Sequence, residues 1–178
     1  MNKKSIEKIV VLGVGNILQT DEGAGVRVAQ ELEETFDFPS NVDVVDGGVL
    51  GLSLMGVIEQ ADYLIVIDAV KLGGSPGDLF RVPWDEITDR TRYKDSLHQV
   101  DFVETMSVLP LIAAVPPTVI IGVEPLDIET WGLKLSPPVA ARIPDLCRLV
   151  LTELETLGVK AVEKENRTDV FSRTRPCP

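Results

Sequence analysis

The chain contains 178 residues, of which 44% are hydrophobic, and its formal net charge is −11. This length fits one domain with a substantial buried core. The acidic balance argues against a nucleic acid or an anionic membrane as partner, because there is no surplus of basic side chains to pair with phosphates. No apolar run approaches the roughly 20 residues of a membrane span, and the amino terminus lacks the apolar region of a signal peptide. We therefore expect a cytoplasmic protein that acts on a neutral or basic partner.

Residues 9–29, IVVLGVGNILQTDEGAGVRVA, combine a predicted strand, a polar turn and the start of a helix. Ile9–Val14 is an unbroken apolar run bounded by glycine, which is typical of a strand buried on both faces of a parallel sheet. From Ala24 onward the apolar residues have helical spacing, and Asp21 occupies the expected N-cap. Glu22 follows in the first turn, where the helix dipole favours an ionised carboxylate that could bind a cation. Acids also stabilise first turns without any further role, so both interpretations stay open here.

Acids also follow two later predicted strands. Val42–Val45 is followed by Asp46 and two glycines, and the apolar run Tyr63–Ile67 is followed by Asp68. Each acid could instead hydrogen-bond a turn, which is an equally common use of aspartate.

The rest of the chain continues to alternate between helical and extended patterns. A short helix is predicted near 52–60, followed by a turn at 73–78, an outlying strand at 79–82 and a charged loop at 84–97. The next helix is capped by Ser96 and ended by Pro116 and Pro117, and a strand follows at 119–123. The last helix begins after Ser136, bends or restarts at Pro144 and is closed by Gly158. His98 is the only histidine and falls in or just before the first turn of the helix capped by Ser96.

This alternation predicts an α/β fold in three α/β/α layers, with helices on both faces of a twisted, largely parallel sheet of about five strands. The outlying strand at 79–82 would make the sheet mixed. We assign residues 1–163 to a single domain and residues 164–178 to a flexible tail, since the tail carries only scattered apolar side chains. Ligand crevices in such folds lie beyond the carboxyl ends of the strands, so the acids that follow strands can converge there.

Two carboxylates and an imidazole would form a mixed oxygen and nitrogen site suited to a divalent ion such as zinc, nickel or iron. The candidate metal ligands are Glu22, Asp68 and His98, and Asp46 joins them as a candidate catalytic residue. A lone histidine is nevertheless more often a capping or surface residue than a ligand. The common signatures HExxH and GxSxG are absent from the sequence, and its two cysteines form neither a CxxC pair nor a disulfide framework.

The main alternatives are a dinucleotide-binding module and a non-catalytic, metal-sensing module that uses the same acidic cleft. Gly13 and Gly15 follow a strand, and Asp46 stands where an acid that binds ribose could lie. Three features disfavour a dinucleotide. Leu18 replaces the third glycine of the fingerprint, the loop before the helix is long, and the acids at the helix start would repel a pyrophosphate.

Four segments together resemble the nickel-iron hydrogenase maturation endopeptidases. They are GVGNILQTDEGAGVR, the DGG at 46–48, the IDAV at 67–70 and His98 within SLHQ. The resemblance extends from about Ile9 to Gly158, and its long first motif is far more specific than a pair of glycines. It implies an enzyme that removes a carboxyl-terminal extension from the precursor of the hydrogenase large subunit after nickel has been inserted there.

By this resemblance Glu22, Asp68 and His98 match the residues that contact the metal, and Asp46 matches the aspartate of the DGG segment. The family implies no resident metal, since the nickel of the precursor completes the site, where it could polarise the scissile carbonyl or activate a water. The expected partner is this precursor, and a monomer is expected. A weaker option is an aspartic-protease pair of Asp46 and Asp68, which would require the two acids to share a proton.

Overall fold

The computed structural model describes residues 6–49, 54–86, 106, 109–111 and 114–165. Their strands are β1 Ile9–Val14, β2 Phe36–Asp37, β3 Val42–Gly48, β4 Tyr63–Ala69, β5 Leu79–Pro83, β6 Thr118–Val123 and β7 Val162–Glu163. Their α-helices are α1 Ala24–Thr35, α2 Met55–Glu59, α3 Pro137–Ala140 and α4 Ile143–Thr156, and short 3-10 helices lie at Thr20–Gly23, Trp84–Glu86 and Leu109–Leu111.

A five-stranded sheet in the order β3-β1-β4-β6-β5 forms the centre of the molecule. Its first four strands are parallel and β5 runs antiparallel to β6, so the sheet is mixed. The buried apolar runs of β1, β4 and β6 occupy the interior positions, as their composition predicts. The predicted α/β fold with a largely parallel sheet is confirmed.

Two apolar clusters cover the two faces of this sheet. On the first face Val11 and Ile65 pack with α1 and α4, and on the second face Leu12 and Val66 pack with Ile58 of α2. Because successive side chains of a strand point to opposite faces, neighbouring residues of β1 and β4 alternate between the two clusters. The sheet therefore forms the middle of three layers.

The structure confirms the predicted helix break and corrects several boundaries. Helix α3 ends at Ala140, α4 starts with Pro144 in its first turn, and Gly158 follows α4 with a φ of +81°. Strand β3 extends through Gly48, so Asp46 lies inside a strand that was predicted to end at Val45.

A second sheet of β2 and β7 was not predicted, because each strand has only two residues. Beyond it, the backbone nitrogen of Lys164 donates to the carbonyl oxygen of Thr35, at 2.8 Å. No α-helix of the described ranges is long and apolar enough to cross a membrane.

Candidate functional site

Close approach between glycines and backbone fixes the junction between β1 and α1. Gly15 has a φ of +125°, and a Cβ atom there would lie 1.8 Å from the carbonyl oxygen of Glu22. A Cβ atom on Gly25 would lie 2.1 Å from the carbonyl oxygen of Ile67, the residue before Asp68. Only glycine fits at these two positions, since any side chain would push the helix start away from the ends of β1 and β4. The glycines thus bring the segment that carries Glu22 against the strand that carries Asp68.

Asp21 was predicted to cap helix α1, and this prediction is wrong. Asp21 lies in the 3-10 turn Thr20–Gly23, and the N-cap of α1 is Gly23. Its fully buried carboxylate instead anchors the loop that follows β6. One oxygen accepts hydrogen bonds from the backbone nitrogens of Leu126 and Asp127 and from the Ser136 hydroxyl, at 2.9, 3.0 and 2.7 Å. The other accepts from the backbone nitrogen of Ser136, at 2.6 Å. The prediction failed because the local pattern cannot reveal partners 105 to 115 residues away.

Glu22 and Asp68 are both buried at the carboxyl edge of the sheet, and each side chain is only 1% exposed. The 3-10 turn that carries Glu22 contacts β4, which carries Asp68. Asp68 accepts a hydrogen bond from the backbone nitrogen of Ala69, at 2.8 Å. Both acids thus lie beyond the carboxyl ends of the strands, where folds of this kind bind their ligands, and this makes the edge the candidate site.

Asp46 lies on the other side of β1 from Asp68 and is exposed. Asp46 of β3 and Ile67 of β4 are both in register with Gly13 of β1, so their side chains point to the same face of the sheet. Asp68 is the next residue after Ile67 and therefore points to the opposite face. Its two carboxylate oxygens accept hydrogen bonds from the backbone nitrogen of Gly48, at 3.0 Å, and from the side chain of Gln30, at 3.1 Å. Asp46 thus hydrogen-bonds a turn, which is one of the two roles that the sequence left open for it. Its position disfavours an aspartic-protease pair in which Asp46 and Asp68 share a proton.

His98 lies outside the described residues, and so does Ser96, its predicted helix cap. The described residues on either side of this segment include Trp84 and Met106, and both pack in the cluster on the second face of the sheet. Asp68 points to the same face, because Val66 and Val70, two residues before it and two residues after it, pack there. The described residues before and after residue 98 therefore pack on the face to which Asp68 points.

Among the described residues no three side chains of histidine, cysteine, aspartate or glutamate are grouped so that they could hold a metal ion. Since the group of Glu22, Asp68 and His98 includes a residue outside those ranges, its convergence stays a prediction.

Sequence reasoning also missed a buried acid near the candidate site. Glu124 directly follows β6 and is 6% exposed, and its carboxylate accepts hydrogen bonds from the backbone nitrogens of Leu72 and Gly73, at 2.8 and 3.3 Å. It thereby fixes the loop that follows β4. The signal that singled out Asp68, an acid directly after a buried apolar strand, was also present for Glu124.

A second missed acid, Glu153, lies on α4 and is 4% exposed. It binds Arg81 of β5 through two hydrogen bonds of 2.6 and 2.8 Å and accepts a third from the hydroxyl of Tyr63, at 2.7 Å. The hydrogen bond from Arg81 lowers the pKa of Glu153, and burial together with this carboxylate raises the pKa of Tyr63 to about 12. Tyr63 is the first residue of β4, so this network lies at the opposite end of that strand from Asp68 and stabilises the fold.

Known proteins resemble this chain in both sequence and fold. The family model of hydrogenase maturation proteases matches residues 26–153. The hydrogenase expression/formation protein HupD of Bradyrhizobium diazoefficiens is 46% identical over 154 residues, which cover 85% of this chain and 80% of HupD. The hydrogenase 2 maturation protease of Escherichia coli is 36% identical over 160 residues, which cover 89% of this chain and 97% of that protein.

A solved structure agrees with these relatives. The hydrogenase maturating endopeptidase HybD from E. coli superposes with a TM-score of 0.81 at 34% identity, covering 88% of this chain and 98% of that one. These matches, which extend over most of the chain, favour a protease over the dinucleotide-binding and metal-sensing alternatives. The chain belongs to the hydrogenase maturation protease family and is a peptidase.

Proposed function

We propose that this endopeptidase removes the carboxyl-terminal extension from the large-subunit precursor of a nickel-iron hydrogenase, after nickel has been inserted into that precursor. Membership of the maturation protease family supports the reaction type. The assignment of the active site to this edge is supported chiefly by the burial of Glu22 and Asp68 on two adjoining segments at the carboxyl edge of the sheet.

Glu22, Asp68 and His98 contact the nickel of the precursor in this proposal. Two carboxylates and one imidazole are suitable donors for nickel and would leave coordination positions for the groups of the precursor. The position of Asp68 supports the inclusion of His98, because the described residues that flank its segment pack on the face to which Asp68 points. Asp46 points to the other face, so we assign it a structural role, in holding the Gly48 turn and Gln30.

The nickel belongs to the substrate, so its presence would determine which precursors are cleaved. A bound divalent ion polarises a carbonyl group or lowers the pKa of a bound water, and either effect promotes attack on the scissile peptide bond. Because the protease supplies only part of the coordination, a precursor without nickel would lack the ion that completes the site. Cleavage would therefore follow metal insertion. A monomeric state and a cytoplasmic location remain predictions.

The test is mass spectrometry of the purified precursor after incubation with this protein, with and without prior nickel loading. We expect the loaded precursor to lose a carboxyl-terminal peptide and the unloaded precursor to keep its mass. Equal cleavage of both would contradict the role of nickel, and cleavage of neither by an active, folded preparation would contradict the proposed substrate.

A further inference from the structure

An exposed apolar patch lies beside Glu22 on the loops at the carboxyl edge of the sheet. Its members are Leu18, Trp131 and Leu133, which are 47%, 72% and 64% exposed. Gln19 and Gly132 form a parallel bridge, so Leu18 and Trp131 are neighbours in register on the two paired segments. An exposed tryptophan flanked by leucines is unusual on a free surface and is characteristic of a protein-binding site.

The exposure of Trp131 does not come from a loosely held loop. The backbone nitrogen of Gly132 donates to the carbonyl oxygen of Leu18, at 2.8 Å, and the backbone nitrogen of Thr20 donates to that of Gly132, at 2.9 Å. The Thr20 hydroxyl also donates to the carbonyl oxygen of Thr130, at 2.8 Å. Thr20 adopts a φ of +31°, which is rare for a β-branched residue, and such strain persists only where surrounding contacts enforce it. The loop is therefore held in place with its tryptophan in solvent.

The same contacts join the patch to the candidate catalytic edge. Asp21, the residue before Glu22, binds the backbone of Leu126 and Asp127 at one end of this loop and that of Ser136 at the other. A polypeptide that covered Trp131 and Leu18 would thus be held beside Glu22. This geometry suits a substrate whose binding surface adjoins its cleavage site.

The charges around the patch indicate the kind of partner. Charges of both signs lie near the patch: Asp127 and Glu129 are on the same loop, whereas Lys134 follows Leu133 in the chain and Arg27 donates a hydrogen bond to the carbonyl oxygen of Leu133. A second copy of this chain would carry the same net charge of −11, which disfavours self-association and favours a partner of opposite charge. A partner with apolar and basic side chains fits better.

We propose that Leu18, Trp131 and Leu133 bind an apolar, positively charged segment of the hydrogenase large-subunit precursor and so align its scissile bond with Glu22. This inference rests on the proposed function. Trp131 is the anchor of the patch, and Asp21 is a positioning residue that keeps the patch and Glu22 in one rigid unit.

The test measures binding and cleavage separately, with nickel-loaded precursor as the probe. Trp131→Ala should weaken the affinity and raise KM by about tenfold or more, with kcat nearly unchanged, because hot-spot tryptophans contribute to binding and do not touch the reacting atoms. Val162→Ala is the control, since Val162 is an exposed apolar residue as well, at 63%, but lies on β7, which pairs with the strand that follows the far end of α1. It should leave both quantities unchanged.

The outcomes separate the surface from the proposed function. Unchanged affinity and KM for Trp131→Ala would contradict the binding role of the patch and leave the proposed function intact. Tight binding of the precursor without cleavage by the wild-type chain would contradict the proposed function alone, and loss of that binding in Trp131→Ala would still support the surface. Absence of any binding by the wild-type chain would contradict both. A dimer in sedimentation that Trp131→Ala dissociates would show that a second copy covers the patch and would overturn the inference.

Discussion

Replacing Asp21 by alanine distinguishes a helix cap from an anchor of the loop at 126–136. Loss of an N-cap side chain costs about 1 kcal/mol. The structure instead shows four hydrogen bonds to this fully buried carboxylate, and hydrogen bonds to charged groups contribute about 1.5–3 kcal/mol each. Because water will satisfy part of the released loop, we expect Asp21→Ala to lower the free energy of unfolding by about 3–5 kcal/mol.

Equilibrium unfolding in urea measures this loss, and hydrogen exchange locates it. The backbone amides of Leu126, Asp127 and Ser136 should exchange faster in the variant, whereas those of β6 should keep their protection down to the new global stability. Ser136→Ala is the matched control, since it removes one hydroxyl donor and should cost about 1 kcal/mol. A loss near 1 kcal/mol for Asp21→Ala, with unchanged exchange in the loop, would refute the anchoring role.

Three further predictions concern the junction, the fold and the ligand. Gly15→Ala should slow processing strongly and destabilise the fold, because its Cβ atom would lie 1.8 Å from the carbonyl oxygen of Glu22, and wild-type processing rates would contradict this. Glu153→Gln should destabilise the chain most at neutral pH. Since Arg81 lowers the pKa of Glu153, its carboxylate stabilises the native state fully above the ordinary pKa of about 4.3 and loses this effect as the pH falls through the native pKa. The difference in urea midpoints between wild type and variant should therefore shrink from pH 7 towards pH 3, and a constant difference would argue against this linkage. Calorimetric titration should detect no useful affinity for NAD, FAD or ATP, and micromolar binding of any of them would revive the nucleotide alternative.

The sequence revealed the elements whose signal is local. Strands β1, β4 and β6 are buried on both faces, so each appears as an apolar run, and the break before α4 follows from Pro144 alone. The two-residue strands β2 and β7 leave no such pattern. Their pairing depends on the chain returning beside the end of α1 after more than a hundred residues.

The candidate site was predictable in its acids but not in their roles. Glu22 and Asp68 follow from the position of acids after buried strands, and both are buried at the same edge. Asp46 satisfied the same rule, but β3 continues past it and alternation turns it to the other face of the sheet. The function of Asp21 could not be seen from neighbouring residues, since its partners belong to a loop distant in sequence.

Intact mass measurements of nickel-loaded precursor after incubation with Glu22→Gln, Asp68→Asn or His98→Ala would directly test whether these three side chains act at the nickel. We expect all three variants to fold, since Glu22→Gln and Asp68→Asn keep the size of side chains that belong to neither apolar cluster, but we expect each variant to leave the precursor uncleaved or to cleave it far more slowly. Asp43→Asn removes an exposed acid near the start of β3 and should cleave at the wild-type rate. Full processing by Glu22→Gln or Asp68→Asn would contradict the role of these carboxylates at the nickel of the precursor.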